Sequence, residues 1–147
     1  MGLATHLISL SLISLAACSS SGDEVSCGAV AGTYAMTEVV NTDDPGTCGT
    51  SVTSRPTTLT VTDHGDGTAA IVIERRTTSC AATLDGCTLT ATCPWLESPG
   101  GGVVGELQLS LTFSGPNASG ISAYTLENGA VGPYNCTGKL RVSATRQ

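Results

Sequence analysis

Apolar and polar residues alternate with a period of two through most of the chain. The longest alternation covers residues 103–113, and the residues that share one face are Val103, Gly105, Leu107, Leu109, Leu111 and Phe113. The residues between them are mostly polar and face the other way. A helix would spread these apolar side chains round its circumference, whereas a strand places them on one side. The pattern therefore predicts a half-buried strand.

Shorter alternations predict further strands at residues 33–40, 87–93, 120–127 and 136–145. Residues 59–62 and 69–74 flank a run rich in Asp and Gly, which predicts a hairpin. Pro, Gly, Asn and Asp separate the segments, and no amphipathic helix or internal repeat is visible. We expect an all-β fold of seven or eight antiparallel strands, either a small barrel or a two-sheet sandwich. A barrel has the advantage of leaving no exposed sheet edge.

The first residues follow a different pattern. Residues 7–15 form an apolar run that is far shorter than the roughly 20 residues of a transmembrane helix and is typical of an export signal. The sequence Leu-Ala-Ala-Cys at positions 15–18 resembles the lipobox of bacterial lipoproteins, in which two small residues precede an obligatory cysteine. The resemblance implies cleavage before Cys18, transfer of a diacylglycerol to its thiol and acylation of the new amine.

This resemblance divides the chain into a signal peptide at residues 1–17, a lipidated cysteine with a polar tether at 18–26, and a single all-β domain at 27–147. Ser19 follows the cysteine, where an Asp would retain some lipoproteins in the inner membrane. The expected location is therefore the bacterial cell envelope, at the outer membrane. The eight tether residues 19–26 span at most about 26 Å, so the domain stays close to its membrane.

Composition limits the partners of the mature chain. Removing residues 1–17 from the 147 leaves 130, enough for one domain with a core. The formal net charge is −6, and the chain has only six Lys and Arg residues. Nucleic-acid binding requires clustered basic residues, so we expect no nucleic-acid partner. The membrane, reached through the N-terminal lipid, is the expected partner.

Six cysteines remain after Cys18, which is typical of a disulfide framework with three bridges in an exported chain. They are Cys27, Cys48, Cys80, Cys87, Cys93 and Cys136. A zinc site is the alternative, but no C-x-x-C pair is present to support one. Six cysteines allow 15 pairings, and the sequence does not choose among them. The alternation at 87–93 places Cys87 and Cys93 on the inner face.

The sequence contains little that supports a catalytic or metal-binding role. Asp63, His64 and Asp66 lie within four positions and could bind a metal, but a hairpin tip requires Asp and Gly for its own geometry. His64 is the only histidine after the signal, and no G-x-S-x-G motif surrounds any serine. We therefore expect no catalytic, cofactor-binding or metal-binding residues. An enzyme is the class of protein that the sequence favours least.

Gly32-Thr33-Tyr34 precedes the first predicted strand, and Arg146 ends the last. These residues resemble the opening and closing of lipocalin-like (calycin) barrels, in which a late Arg packs on the Trp of an N-terminal Gly-x-Trp. Tyr34 stands where that Trp would be. The resemblance implies a barrel whose first and last strands pair, with an interior that holds a small ligand.

Trp95 is the only tryptophan, and it leads into a loop rich in Pro and Gly. It could contact a ligand or a protein partner at a barrel mouth, or plug the end of a core that has few aromatic residues. Two functions remain open: a protein-interaction or structural surface domain on a filled barrel, and a barrel that binds a small apolar ligand. The scarcity of aromatic residues indicates a small filled interior, which favours the first.

Overall fold

The computed structural model describes residues 26–48, 55–74, 77, 79–94, 104–127 and 135–147. Over these residues the chain forms eight strands and no helix, so the all-β prediction is confirmed. In chain order the strands are β1 Gly32–Val40, β2 Arg55–Asp63, β3 Thr68–Ile73, β4 Cys80–Asp85, β5 Thr88–Pro94, β6 Val104–Ser114, β7 Asn117–Glu127 and β8 Cys136–Arg146.

The eight strands close into an antiparallel barrel. Each strand pairs with the next along the chain, and β8 returns to pair with β1 over the register Tyr34↔Arg146 to Val40↔Leu140. This closure decides between the two expected architectures in favour of the barrel. It also confirms that the first and last strands pair, and it leaves no strand of the sheet with an unpaired edge.

The main differences between the strands and the sequence prediction concern β2, β4, β5 and β7. Strand β2 begins at Arg55, four residues earlier than predicted, and β7 begins at Asn117 instead of residue 120. The turn before β7 is Gly115-Pro116: Gly115 has a φ of 58°, and positive φ followed by the fixed negative φ of proline suits a tight hairpin turn.

Strand β4 was not among the predicted segments. Cys87 lies in the β4–β5 turn and is half-buried, so its placement within a strand was wrong.

Side chains fill the inside of the barrel. Eight strands enclose a space that is just wide enough to be filled in this way. The largest side chains with under 2% exposure are Tyr34, Met36, Glu38, Leu59, Ile71, Ile73, Leu89, Leu107, Leu109, Leu111, Phe113 and Leu140. Tyr34 and Phe113 meet edge to face, with ring centroids 5.5 Å apart. The predicted inward face of residues 103–113 is confirmed from Leu107 onward.

Candidate functional site

One end of the barrel, which we call the closed end, is covered by residues 26–31. Val30 is buried there, and Cys27 is disulfide-bonded to Cys87 in the β4–β5 turn. The same end carries the three short hairpin turns, β2–β3, β4–β5 and β6–β7. The segment that leads in from the N-terminus is therefore fixed across the mouth of the barrel by a covalent bond.

Arg146 holds this covering segment in place. Its Nη2 donates hydrogen bonds to the carbonyl oxygens of Ala29 and Ala31, the latter at 2.7 Å, and to the Tyr34 hydroxyl at 2.9 Å. The Tyr34 hydroxyl in turn donates to the Val30 carbonyl at 2.7 Å. One guanidinium thus links the end of β8 to the covering segment and to β1. The guanidinium of Arg146 also lies over the Tyr34 ring.

The barrel interior contains two polar side chains that the sequence analysis did not identify. Glu38 is fully buried, and the sheet register places it opposite Arg55 on β2 and Val142 on β8. Ser122 on β7 is also fully buried, and its hydroxyl has no hydrogen-bond partner among the described residues. A buried hydroxyl without a partner is costly, so Ser122 lowers the stability of the barrel.

An open groove of about 830 Å³ lies on the outer surface of the barrel, across β4 to β7. Its lining, within the part of the chain that the structure describes, contains no Asp, Glu, Lys or Arg, and several of its side chains are Thr or Ser. Thr83 and Thr90 face each other across β4 and β5, with their hydroxyl oxygens 2.7 Å apart. Exposed Ile121 lies at the far side of the groove. No local sequence pattern predicts this groove, because its lining residues come from several strands.

The carboxylates of the β2–β3 turn accept hydrogen bonds from other residues of the turn. Asp63 accepts a hydrogen bond from the Gly65 amide, and Asp66 accepts from both the amide and the hydroxyl of Thr68. His64 Nδ1 lies 3.1 Å from the Thr68 hydroxyl. The Thr68 hydroxyl, followed by its amide, lowers the pKa of Asp66 below its ordinary value of 3.8. Among the described residues, no three His, Cys, Asp or Glu side chains are grouped to hold a metal ion.

The opposite end, which we call the loop end, carries the longer connections. After β1 the chain bulges outward and then rejoins β8, where Gly46 pairs with Gly138. Two ion pairs hold the bulge against the outer face of β8, Asp43 with Arg141 and Asp44 with Lys139. The Cys48–Cys136 disulfide closes this segment onto the start of β8. Trp95 and Cys18, both singled out from the sequence, lie outside the described residues.

All six cysteines of the predicted framework are paired. The bonds are Cys27–Cys87, Cys48–Cys136 and Cys80–Cys93. The first fixes the closed end, the second fixes the loop end, and the third joins β4 to β5. Three disulfides are compatible with an exported protein.

Comparison of the chain with family profiles, with curated proteins and with solved structures found no match. Within the described ranges, no helix is long and apolar enough to cross a membrane.

Proposed function

We propose that this protein is a lipid-anchored domain of the bacterial cell envelope, exported through its N-terminal signal and attached through Cys18 at the outer membrane. Its role is non-catalytic: it acts as a structural or protein-binding surface domain. The lipobox resemblance at residues 15–18 supports the anchor. The three disulfides support export, because such bonds persist in oxidising compartments.

The filled barrel is the observation that carries the non-catalytic, surface role. Inward side chains from all eight strands are buried, and an eight-stranded barrel has room for side chains or for one small ligand, but not for both. Leu107, Leu109 and Leu111 of β6 occupy the middle of the interior. The groove of about 830 Å³ lies outside the barrel, where a partner has direct access.

The titratable groups support the absence of catalysis. A general base must reach a substrate in a site that orients its ring. His64 instead lies exposed at a turn beside Thr68, and the carboxylates of Asp63 and Asp66 accept hydrogen bonds from the turn itself. These three residues shape the hairpin.

A small-ligand barrel is the second candidate function, and the contact between Arg146 and Tyr34 favours it by its likeness to lipocalin-like closures. Fold likeness alone is a weak argument for function. The buried interior supports the first candidate, and binding of a small ligand can be measured directly.

The test is native mass spectrometry of the oxidised protein, with a fluorescent fatty acid titration alongside it. We expect no retained small molecule and no saturable probe binding by the natural chain. A matched Leu109→Ala variant opens an interior cavity that can hold a molecule no larger than benzene, and benzene binding by this variant is the control that an occupied interior would be detected. A small apolar molecule retained by the natural chain would overturn the filled-barrel proposal and establish the ligand-binding function.

A further inference from the structure

The N-terminal tether and the long loops lie at opposite ends of the barrel. Residues 26–31 cross the closed end, and the Cys27–Cys87 bond fixes the chain there. Strands β1, β3, β5 and β7 all start at the closed end and run to the loop end. The outward bulge with Asp43 and Asp44 is therefore at the end that is remote from Cys27.

The short tether limits which end of the barrel can lie next to the membrane. From Ser26 back to Ser19 the chain has eight residues, which reach at most about 26 Å when fully extended. An 11-residue strand such as β8, tilted by about 40°, gives the barrel a height of roughly 25 Å. A lipid on Cys18 could reach the level of the loop end only if the whole tether lay fully extended along the barrel wall.

We infer that the closed end is the surface of this protein that faces the membrane, and that the loop end is displayed away from it toward partners. The inference rests on the lipid anchor proposed above. The occupant of the space below the closed end is the lipid surface to which Cys18 is attached.

The charges at the closed end determine how closely it approaches the lipid surface. Asp63, Asp66 and Asp85 lie exposed at its turns. Among the described residues, Arg146 is the cation of this end, and its guanidinium is engaged by Ala29, Ala31 and Tyr34. Anionic headgroups attract clusters of basic residues and repel acidic ones. The closed end therefore faces the headgroups across the tether without inserting into them.

Lys139 allows the orientation to be measured without adding a cysteine. It is the only lysine in the sequence and lies near the loop-end start of β8, exposed on the outer face. A matched variant, Lys139→Arg with Ser114→Lys, moves the amine to the closed end, where exposed Ser114 precedes the β6–β7 turn. The two positions differ in height by roughly 15 Å, as six residues of a tilted strand separate their levels.

The experiment labels the amine of the lipidated, full-length mature protein with a donor dye and reconstitutes it in vesicles of phosphatidylethanolamine and phosphatidylglycerol. The bilayer contains an acceptor on its headgroups, and Lys139→Arg alone reports any label on the N-terminal amine. We expect energy transfer to be several-fold more efficient from position 114 than from position 139.

Equal transfer from the two positions would mean that the barrel lies on its side, and stronger transfer from position 139 would mean that it is inverted. Either result overturns the orientation while leaving the anchor intact. Failure of the protein to float with vesicles, together with an unmodified Cys18 by mass, would overturn the anchor and the orientation together. The flotation step thus separates the two failures.

Discussion

The guanidinium carbon of Arg146 lies 5.3 Å from the centre of the Tyr34 ring, and the same side chain donates a 2.9 Å hydrogen bond to the Tyr34 hydroxyl. Arg146 is the last strand residue and Tyr34 belongs to the first strand, so this contact spans the closure of the barrel. Arg146 also donates hydrogen bonds to the carbonyl oxygens of Ala29 and Ala31, and these bonds connect the covering segment to the first and last strands. Arg146 therefore contributes both to the closure of the sheet and to the closure of its end.

Replacement of that side chain should be costly. Arg146→Gln removes a charged donor that serves three oxygens, and hydrogen bonds to charged groups contribute about 1.5–3 kcal/mol. We expect the free energy of unfolding in urea to fall by about 2–3 kcal/mol. The matched control is Arg141→Gln on the same strand, because the ion pair of Arg141 with Asp43 is exposed, with side-chain exposures of 58% and 75%. Such pairs contribute about 0–1 kcal/mol. Equal losses from the two variants would contradict a special role for Arg146.

Two buried hydroxyls should respond in opposite directions. Ser122 is fully buried without a partner among the described residues, whereas the buried Thr77 hydroxyl accepts a 2.9 Å hydrogen bond from the Ile73 amide. Removing a buried polar group that lacks a partner is neutral or stabilising, and removing a partner from a buried amide costs about 1–3 kcal/mol. We therefore expect Ser122→Ala to leave stability unchanged or raise it, and Thr77→Val to lower it. Destabilisation by Ser122→Ala of more than about 1 kcal/mol would show that the hydroxyl is bound, for example by an internal water.

Much of this fold follows from local pattern, and the exceptions have physical reasons. Residues 103–113 alternate between leucine and polar side chains, so their strand and its inner face are readable from the sequence. Strand β4 is not, because Ala81 and Ala82 are identical while one is exposed and the other buried. The Asp85-Gly86 pair before β5 is the turn signal that could have located it.

The candidate sites were harder to predict from the sequence than the strands. The outer groove is lined by residues of several strands, and no local pattern in the sequence predicts it. The cysteine count predicted three bridges, but Cys27 and Cys87 are 60 residues apart, and only the folded chain brings them together. Glu38 occupies an inward position of β1 although its charge would favour solvent. Its burial reflects the register of the closed sheet, which the composition of one strand does not reveal.

The three disulfides should contribute unequally to stability. In the chain-entropy model, a bond stabilises more when it closes a longer loop. The separations are 88 residues for Cys48–Cys136, 60 for Cys27–Cys87 and 13 for Cys80–Cys93. Paired Cys→Ser variants should lose about 4–5 kcal/mol for the two long loops and about 3 kcal/mol for the short one. Urea unfolding without reductant measures the order, and a larger loss from the Cys80–Cys93 pair would contradict it.

The β2–β3 turn should weaken in acid. Its Asp66 carboxylate has a pKa below the ordinary value of 3.8, chiefly because the Thr68 hydroxyl donates to it. The ionised form therefore stabilises the folded turn above that value, and the stabilisation is lost as the pH falls through the folded pKa. Thr68→Val retains the amide donor but removes the hydroxyl, so the pKa of Asp66 should rise part of the way back.

Carboxyl-carbon NMR titration follows Asp66 directly. Thr60→Val, which removes an exposed hydroxyl on β2 at a distance from the turn, is the matched control and should leave the pKa of Asp66 unchanged. No rise in Thr68→Val would show that the Thr68 hydroxyl does not bind the carboxylate.

The protein is a barrel with three disulfides, and we propose that its interior is filled and that its mature form is attached to the membrane through Cys18. The most direct test of this proposal is the intact native mass of the protein, produced from the full-length gene in a bacterium that exports and lipidates its lipoproteins. We expect a chain that begins at Cys18 with its lipid attached, a mass six hydrogens below that of the reduced form, and no other bound molecule. A chain that begins at Met1, or that carries no lipid, free thiols or a retained ligand, would contradict it.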